Sequence, residues 1–330
     1  MKTKIGYFAS LEQYKPMDAL KQSVRAENIG FDSIWVDDHF HPWYHTGAQT
    51  GFAWTWMAST LQATKKAFIS TCITSPIIRY NPAIVAQAFA TMRQMYPGRV
   101  GVAVGAGEAM NEVPVTGVWP SVPERQNMTV EALQVMRKLW ESKEPVTFKG
   151  KYYQLDKAFM YTKSEDGVPV YFSGMGPKGS RLAGVYGNHL MTVAADPATL
   201  KNVTIPQFEA GAKEAGKDPK NMERAMLIWY SVDPDYEKAI EATRFWAGCL
   251  VPSMFKYPVY DSKEVEMHAN LVGHDMMKKN FIVATDAEGL IKEIKRFKDA
   301  GITHFCLGNS SPNVNAGIDV FKDVIPAVTE

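Results

Sequence analysis

The sequence predicts an α/β fold of one kind: a closed (β/α)8 TIM barrel with insertions covering its C-terminal mouth. Three observations predict it. Eight short apolar runs recur along the 330 residues, each followed by a helical periodicity or a polar loop. Several runs are apolar throughout, as strands buried on both faces of a parallel sheet must be. Polarity then appears abruptly at their carboxyl ends, the edge where barrel enzymes build their sites. A barrel core takes about 250 residues, which leaves room for insertions within a single domain spanning 1–330. An open doubly wound sheet is the rival, because local pattern does not distinguish closure from an open edge.

The eight runs begin near Ile5, Ser33, Phe68, Val100, Val168, Leu190, Ala225 and His304. The first, Ile5-Gly6-Tyr7-Phe8-Ala9, starts almost at Met1 and leaves no space for a secretory h-region, so a cytoplasmic protein is expected. The second, Ser33-Ile34-Trp35-Val36, ends in Asp37-Asp38-His39. The third ends in Ser75-Pro76 and is either a plain strand or one that bulges beneath a flat ligand. Between the third and fourth, Asn81-Pro82 supplies a cap and a first-turn proline. Ile84, Val85, Ala88, Phe89, Met92 and Met95 then share one helical face, and Tyr96-Pro97-Gly98-Arg99 stops the helix before Val100. Two insertions are expected, a tightly turned hairpin over Val146–Tyr153 and a lid from about Pro252 to Asn280.

Thirty-six basic against thirty-five acidic residues leave a net charge of +1, which predicts neither a nucleic-acid footprint nor an acidic tail. The expected partner is a small molecule. No apolar run approaches the ~20 residues that span a bilayer. The three cysteines, Cys72, Cys249 and Cys306, lack metal spacing and fit reduced thiols.

Chemistry concentrates at two strand ends. The second strand delivers Asp38 and His39, the fourth delivers Gly105-Ala106-Gly107-Glu108, and both open into one mouth. An imidazole moves protons near neutral pH and a neighbouring carboxylate tunes it. The alternative is that His39 and Glu108 cap loops or pair with each other. After the fifth strand, Gly174-Met175-Gly176-Pro177-Lys178-Gly179 opens a helix and is a candidate phosphate cradle, though it is neither a Walker loop nor a dinucleotide fingerprint. The spacing of His39 and His41 also allows a metal-dependent barrel hydrolase. Against this, His189 and His304 fall at strand entrances and His268 and His274 in the lid, so no metal is expected.

Four runs together, Asp37 to Trp43, Arg79 to Ala83, Gln87 to Thr91 and Gly105 to Glu112, resemble the coenzyme F420-dependent dehydrogenases of the bacterial luciferase-like superfamily. The likeness extends over nearly the whole chain. It implies a luciferase-like barrel that binds F420, an 8-hydroxy-5-deazaflavin, with its ring at the mouth, usually in a homodimer. By the same resemblance Asp38 contacts the ring, His39 is the acid/base, Trp43 lines the substrate pocket and bonds the substrate oxygen, and Glu108 serves the ring's proton chemistry. Ser75, Ala106, Gly107 and Asn111 match cofactor-holding positions, and Met175, Gly176, Lys178 and Gly179 match the phosphate loop. A non-prolyl cis peptide that supports the ring falls at Cys72-Ile73.

The sugar-phosphate branch of that family clamps phosphate with three cations, where this chain carries Asp196, Lys256 and Asn280. An aspartate facing a phosphate repels it, so a small uncharged secondary alcohol such as 2-propanol is expected instead, giving its hydride to C5 of the ring. Trp43, Trp229 and Trp246 either make that pocket apolar or, for the last two, belong to the core. The competing expectations are an FMN-dependent luciferase-like monooxygenase and a flavin carrier without turnover.

Overall fold

The computed structural model describes residues 1–193 and 196–329. Its strands are β1 (Lys4–Ala9), β2 (Ser33–Val36), β3 (Phe68–Thr71), β4 (Val100–Val104), β5 (Val146–Lys149), β6 (Gln154–Ala158), β7 (Val170–Ser173), β8 (His189–Val193), β9 (Arg224–Val232), β10 (Ile282–Ala284) and β11 (His304–Asn309). Eight pair in parallel in the order β1-β2-β3-β4-β7-β8-β9-β11. β11 returns to β1, with Ile5 opposite Phe305, and closes the barrel. These eight are the runs expected from sequence, shifted by at most two residues.

Alternation along each strand divides the core. Tyr7, Ile34, Phe305 and Leu307 pack outward under the helices, whereas Phe8, Trp35, Leu227 and Cys306 fill the barrel. Gly6 permits this filling: a Cβ there would lie 2.3 Å from Ser33 Oγ and 2.7 Å from Trp35 Nε1. The Trp35 indole therefore crosses the barrel floor over Gly6, donating to Ser33 Oγ at 2.8 Å. Ser33 Oγ in turn lies 2.7 Å from His304 Nε2.

Three features differ from the sequence expectation. The hairpin turns later, across Gly150–Tyr153, because the Glu131 carboxylate collects the Lys151, Tyr152 and Tyr153 N–H groups and pins the bend. The segment before the last strand contains an additional strand, β10, paired with the end of β9. In the helix Pro82–Met95 the buried face is Val85, Ala86, Phe89 and Ala90, while Ile84 and Met95 are exposed. The expected cap is present, with Asn81 Oδ1 accepting from Ala83 N. The lid region forms three helices, Ser253–Lys256, Ser262–Leu271 and His274–Asn280. Among the described residues no helix is long and apolar enough to cross a membrane.

Candidate active site

A cavity of about 460 Å³ opens at the C-terminal ends of the barrel strands. This is the size range of small-molecule sites. His39, Trp43, Glu108, Asp38, Cys72, Ile73, Ser75, Ala106, Gly107, Asn111, Met175 and Gly179 all line it. Gly176 and Lys178 stand beside its rim, at the exposed start of the helix Gly176–Tyr186. Of the lid, Met254, Phe255, Val259 and Val265 form part of the wall.

His39 follows β2 into a buried turn where its Nδ1 lies 3.0 Å from the His41 carbonyl. A carbonyl only accepts, so Nδ1 carries the proton and Nε2 is left with its lone pair. Burial, and then the Arg79 charge, push the imidazole down to about 4, against the opposing His41 bond, so it is neutral near pH 7. Its Nε2 stands 3.3 Å from Glu108 Oε2. Glu108 occupies the N-cap position of the helix Ala109–Thr116, yet its side chain makes no capping bond. Its Oε2 is buried without a hydrogen-bond partner. Burial, helped by the Glu112 charge, pushes its carboxyl up to about 7. Glu108 therefore approaches His39 rather than capping its own helix, and either group is able to exchange a proton at the cavity.

Asp37 and Asp38 differ in use. Asp37 accepts from the Leu11 and Glu12 N–H groups at 2.8 and 3.0 Å, tying the loop after β1 to the end of β2. Asp38 is gripped by Thr74 Oγ1 at 2.7 Å, Tyr80 OH at 2.9 Å and Arg79 Nη2 at 3.3 Å. Asn111 accepts the Phe40 N–H at 2.8 Å and so fixes the start of the Trp43 loop. The Cys72-Ile73 peptide is cis, at the position expected. Neither His41 nor His45 faces a ligand set: His41 Nδ1 lies 2.8 Å from the Tyr260 carbonyl, and His45 donates its N–H to Glu266. Among the described residues no three His, Cys, Asp or Glu side chains converge as metal ligands would.

Sequence reading missed one carboxylate at the centre. Glu12, only 1 % exposed, accepts the Trp43 N–H at 2.7 Å, and its Oε2 lies 3.5 Å from His39 Nδ1. Burial, then the Asp37 charge, raise its carboxyl well above the usual range. The available signal was its place three residues beyond the carboxyl end of β1. Arg79, Glu112 and Arg125 were missed as well. Arg79 donates to the Asp38 carbonyl, its own N–H goes to Glu112, and Arg125 stacks 3.6 Å over Trp119 while donating to the Ala106 carbonyl.

The two halves of the cavity are chemically unlike. On the β3–β4 side Ser75 Oγ, Arg79 Nε and Glu112 Oε1 are buried without hydrogen-bond partners, the last two facing each other as an ion pair at 3.9 Å. Opposite, Trp43, Trp229, Trp246, Leu227 and Val265 present an apolar wall, with Trp229 stacked on Trp246 at 4.7 Å. The two described lining cations, Arg79 and Arg125, are engaged on the Asp38 and Ala106 side. Asp196 caps Thr199, and Asn280 donates to the Met276 carbonyl.

The luciferase-like monooxygenase family profile matches residues 3–304. An F420-dependent glucose-6-phosphate dehydrogenase of Amycolatopsis mediterranei is 39% identical over 98% of both chains. A solved F420-dependent secondary alcohol dehydrogenase, in complex with an F420-acetone adduct, is 77% identical with a TM-score of 0.99 over 100% of both chains. The coenzyme F420-dependent tetrahydromethanopterin reductase of Methanopyrus kandleri has the same fold, with a TM-score of 0.82 at 22% identity over 99% of this chain and 100% of that one.

Proposed function

This chain belongs to the luciferase-like monooxygenase family, and from that premise we propose that it is an F420-dependent oxidoreductase that converts a small secondary alcohol such as 2-propanol to its ketone. The observation that carries the substrate class is the apolar, cation-free wall around Trp43, Trp229 and Trp246. A sugar phosphate would find no cation on that wall, since Lys256, the one cation at the three clamp positions, lies over the Tyr257 ring instead. Relatives at 39% identity are named for glucose 6-phosphate and the solved neighbour at 77% identity for a secondary alcohol, and the wall agrees with the second.

The residues present fit a deazaflavin. Ser75 Oγ, Arg79 Nε and Glu112 Oε1, buried without hydrogen bonds although the last two pair in charge at 3.9 Å, form a donor and acceptor edge of the kind a pyrimidinedione rim needs. Gly107 leaves its backbone bare: with φ at +72°, an added Cβ would lie 2.7 Å from Ser75 Oγ. Asp38, Cys72, Ile73, Ser75, Ala106, Gly107 and Asn111 would hold the ring. Met175, Gly176, Lys178 and Gly179 would hold the phosphate, where the helix start offers free N–H groups. When bound, F420 supplies C5 as a hydride acceptor.

Neutral His39 uses Nε2 to take the alcohol's hydroxyl proton, and its Nδ1–H remains on the His41 carbonyl, so the ring keeps one orientation. Trp43 bounds the substrate and donates its indole N–H to the oxygen as charge develops there. Glu108, protonated below about pH 7, offers a proton from Oε2 toward the N1 edge of the ring. The enzyme acts in the cytoplasm as a homodimer. Its exposed helix faces around Phe52, Thr55, Ser59, Ile84, Gln87 and Met95 carry no charge, and a surface that meets its own copy across a two-fold axis avoids self-repulsion only if it is neutral or internally balanced.

Bleaching of oxidised F420 on addition of 2-propanol, with glucose 6-phosphate inert, is the expected result of an absorbance assay. Protein that instead retains FMN and consumes oxygen would overturn the reading in favour of a monooxygenase.

A further inference from the structure

The loop that carries Trp43 makes few contacts of its own. Between His39 and Thr46 the chain has no helix or strand, yet Trp43 is only 6 % exposed. Its outer half is held from one side. Glu266 Oε2, on the helix Ser262–Leu271, accepts both the His45 N–H at 3.0 Å and the Thr46 N–H at 2.8 Å. One turn further along, Asn270 Oδ1 accepts from Tyr44 OH at 3.1 Å. Just before the helix, the Tyr260 carbonyl meets His41 Nδ1. The indole itself packs on Phe255, with 5.4 Å between ring centroids, and is joined to the helix through Gly248. An added Cβ on Gly248 would lie 2.8 Å from Val265 Cγ1 and 3.6 Å from Trp43 Cε3, so Gly248 is closely packed between that helix and the Trp43 ring.

We propose that the helix Ser262–Leu271 is a clasp for the substrate-side wall, and that Glu266 is a positioning residue holding the Trp43 loop over the alcohol. The inference rests on the alcohol-oxidising reading for its kinetic consequence but not for its structural one. Two backbone N–H groups converging on one carboxylate oxygen form charge-assisted bonds that a methyl group does not replace and that water, which reaches this exposed edge, satisfies without holding the loop in place. The inner half of the loop is held separately, by Asn111 on Phe40 and Glu12 on Trp43, so losing the clasp frees the outer half without emptying the deazaflavin side. The effect should therefore fall on the alcohol and spare the cofactor.

The test compares wild type, Glu266→Ala and Glu266→Gln. In the alanine variant, amide hydrogen exchange at His45 and Thr46 should accelerate about tenfold or more, with exchange at Phe40 and Trp43 unchanged. The same variant should lose about tenfold in kcat/KM for 2-propanol, mostly through KM, while the F420 dissociation constant stays within about twofold. Glu266→Gln retains an acceptor oxygen and should restore part of both. Unchanged exchange at His45 and Thr46, or cofactor affinity falling in step with kcat/KM, overturns the clasp. If wild-type protein bleaches no F420 with any alcohol, the functional reading fails, and the exchange measurement still decides the clasp by itself.

Discussion

At the scale of single residues, His39 and Glu108 have opposite perturbations from one cause. Burial disfavours charge on either group, so the imidazole is pushed down to about 4 and the carboxyl up to about 7. A base must be unprotonated to act and an acid protonated. Activity should thus be lost as pH falls through about 4 and also as it rises through about 7. The profile of kcat/KM for 2-propanol should be bell-shaped, and Glu108→Gln should remove its alkaline limb. His39→Ala should cost about 10²–10⁴-fold in hydride transfer. Single-turnover F420 reduction at wild-type rate in that variant would exclude His39 as the base. These two residues were legible because a charge directly after an apolar strand stands out. Glu12 was not, because Ser10-Leu11-Glu12-Gln13 has no local contrast, and its burial depends on the distant Trp43 loop folding over it.

At the scale of elements, strand and helix positions were legible and the orientation of one helix was not. In Pro82–Met95 the periodicity of 3.6 identifies a helix, but apolar residues occupy two faces. Val85 and Phe89 meet the barrel, whereas Ile84, 55 % exposed, and Met95, 59 % exposed, face outward. Sequence pattern sums both faces into one wide stripe, and only the packed structure separates them. Phe52 and Thr55 of the preceding segment are likewise exposed, again without an exposed charge. Charging the outer face should then act on assembly and leave the fold intact. In sedimentation at micromolar concentration the wild type should run as a dimer and Ile84→Glu as a monomer with unaltered circular dichroism. A wild type that sediments as a monomer removes this face as the interface. The hairpin and β10 were illegible for a related reason, since each is fixed by partners far along the chain, Glu131 and the end of β9.

At the scale of the whole molecule, the floor of the barrel is joined by a network remote from the mouth. Glu223 receives Lys4 Nζ at 2.6 Å, Tyr171 OH at 2.7 Å and His304 Nδ1 at 2.7 Å, linking β1, β7 and β11. Burial would raise its carboxyl, but the His304 and Lys4 bonds and charges outweigh it and hold the group well below the usual carboxylate range. A depressed carboxyl stabilises the fold fully above its unfolded pKa of about 4.3 and loses that contribution as pH falls further. Other buried groups act elsewhere on the scale. His39 and His189, both pushed down to about 4, penalise the fold as pH drops from about 6.5 to 4, while Asp37 and Glu108, raised to about 7, penalise it as pH climbs from about 4 to 7. These two trends oppose each other across the same interval, and both saturate below about pH 4, where the Glu223 contribution is still being lost. Glu223→Gln should accordingly cost about 1–3 kcal/mol at pH 7, because the buried carboxylate's charge-assisted bonds to half-exposed Lys4 and to His304 are lost. The gap between wild type and variant should then shrink as pH falls below about 4, since acid protonates the carboxyl of the unfolded wild-type chain while the folded one stays ionised, which favours unfolding, and the amide does not titrate. Urea unfolding of both proteins from pH 7 to pH 2 measures the gap. A difference that stays constant over that range would mean that Glu223 enters the fold already neutral and that hydrogen bonding alone holds the floor together.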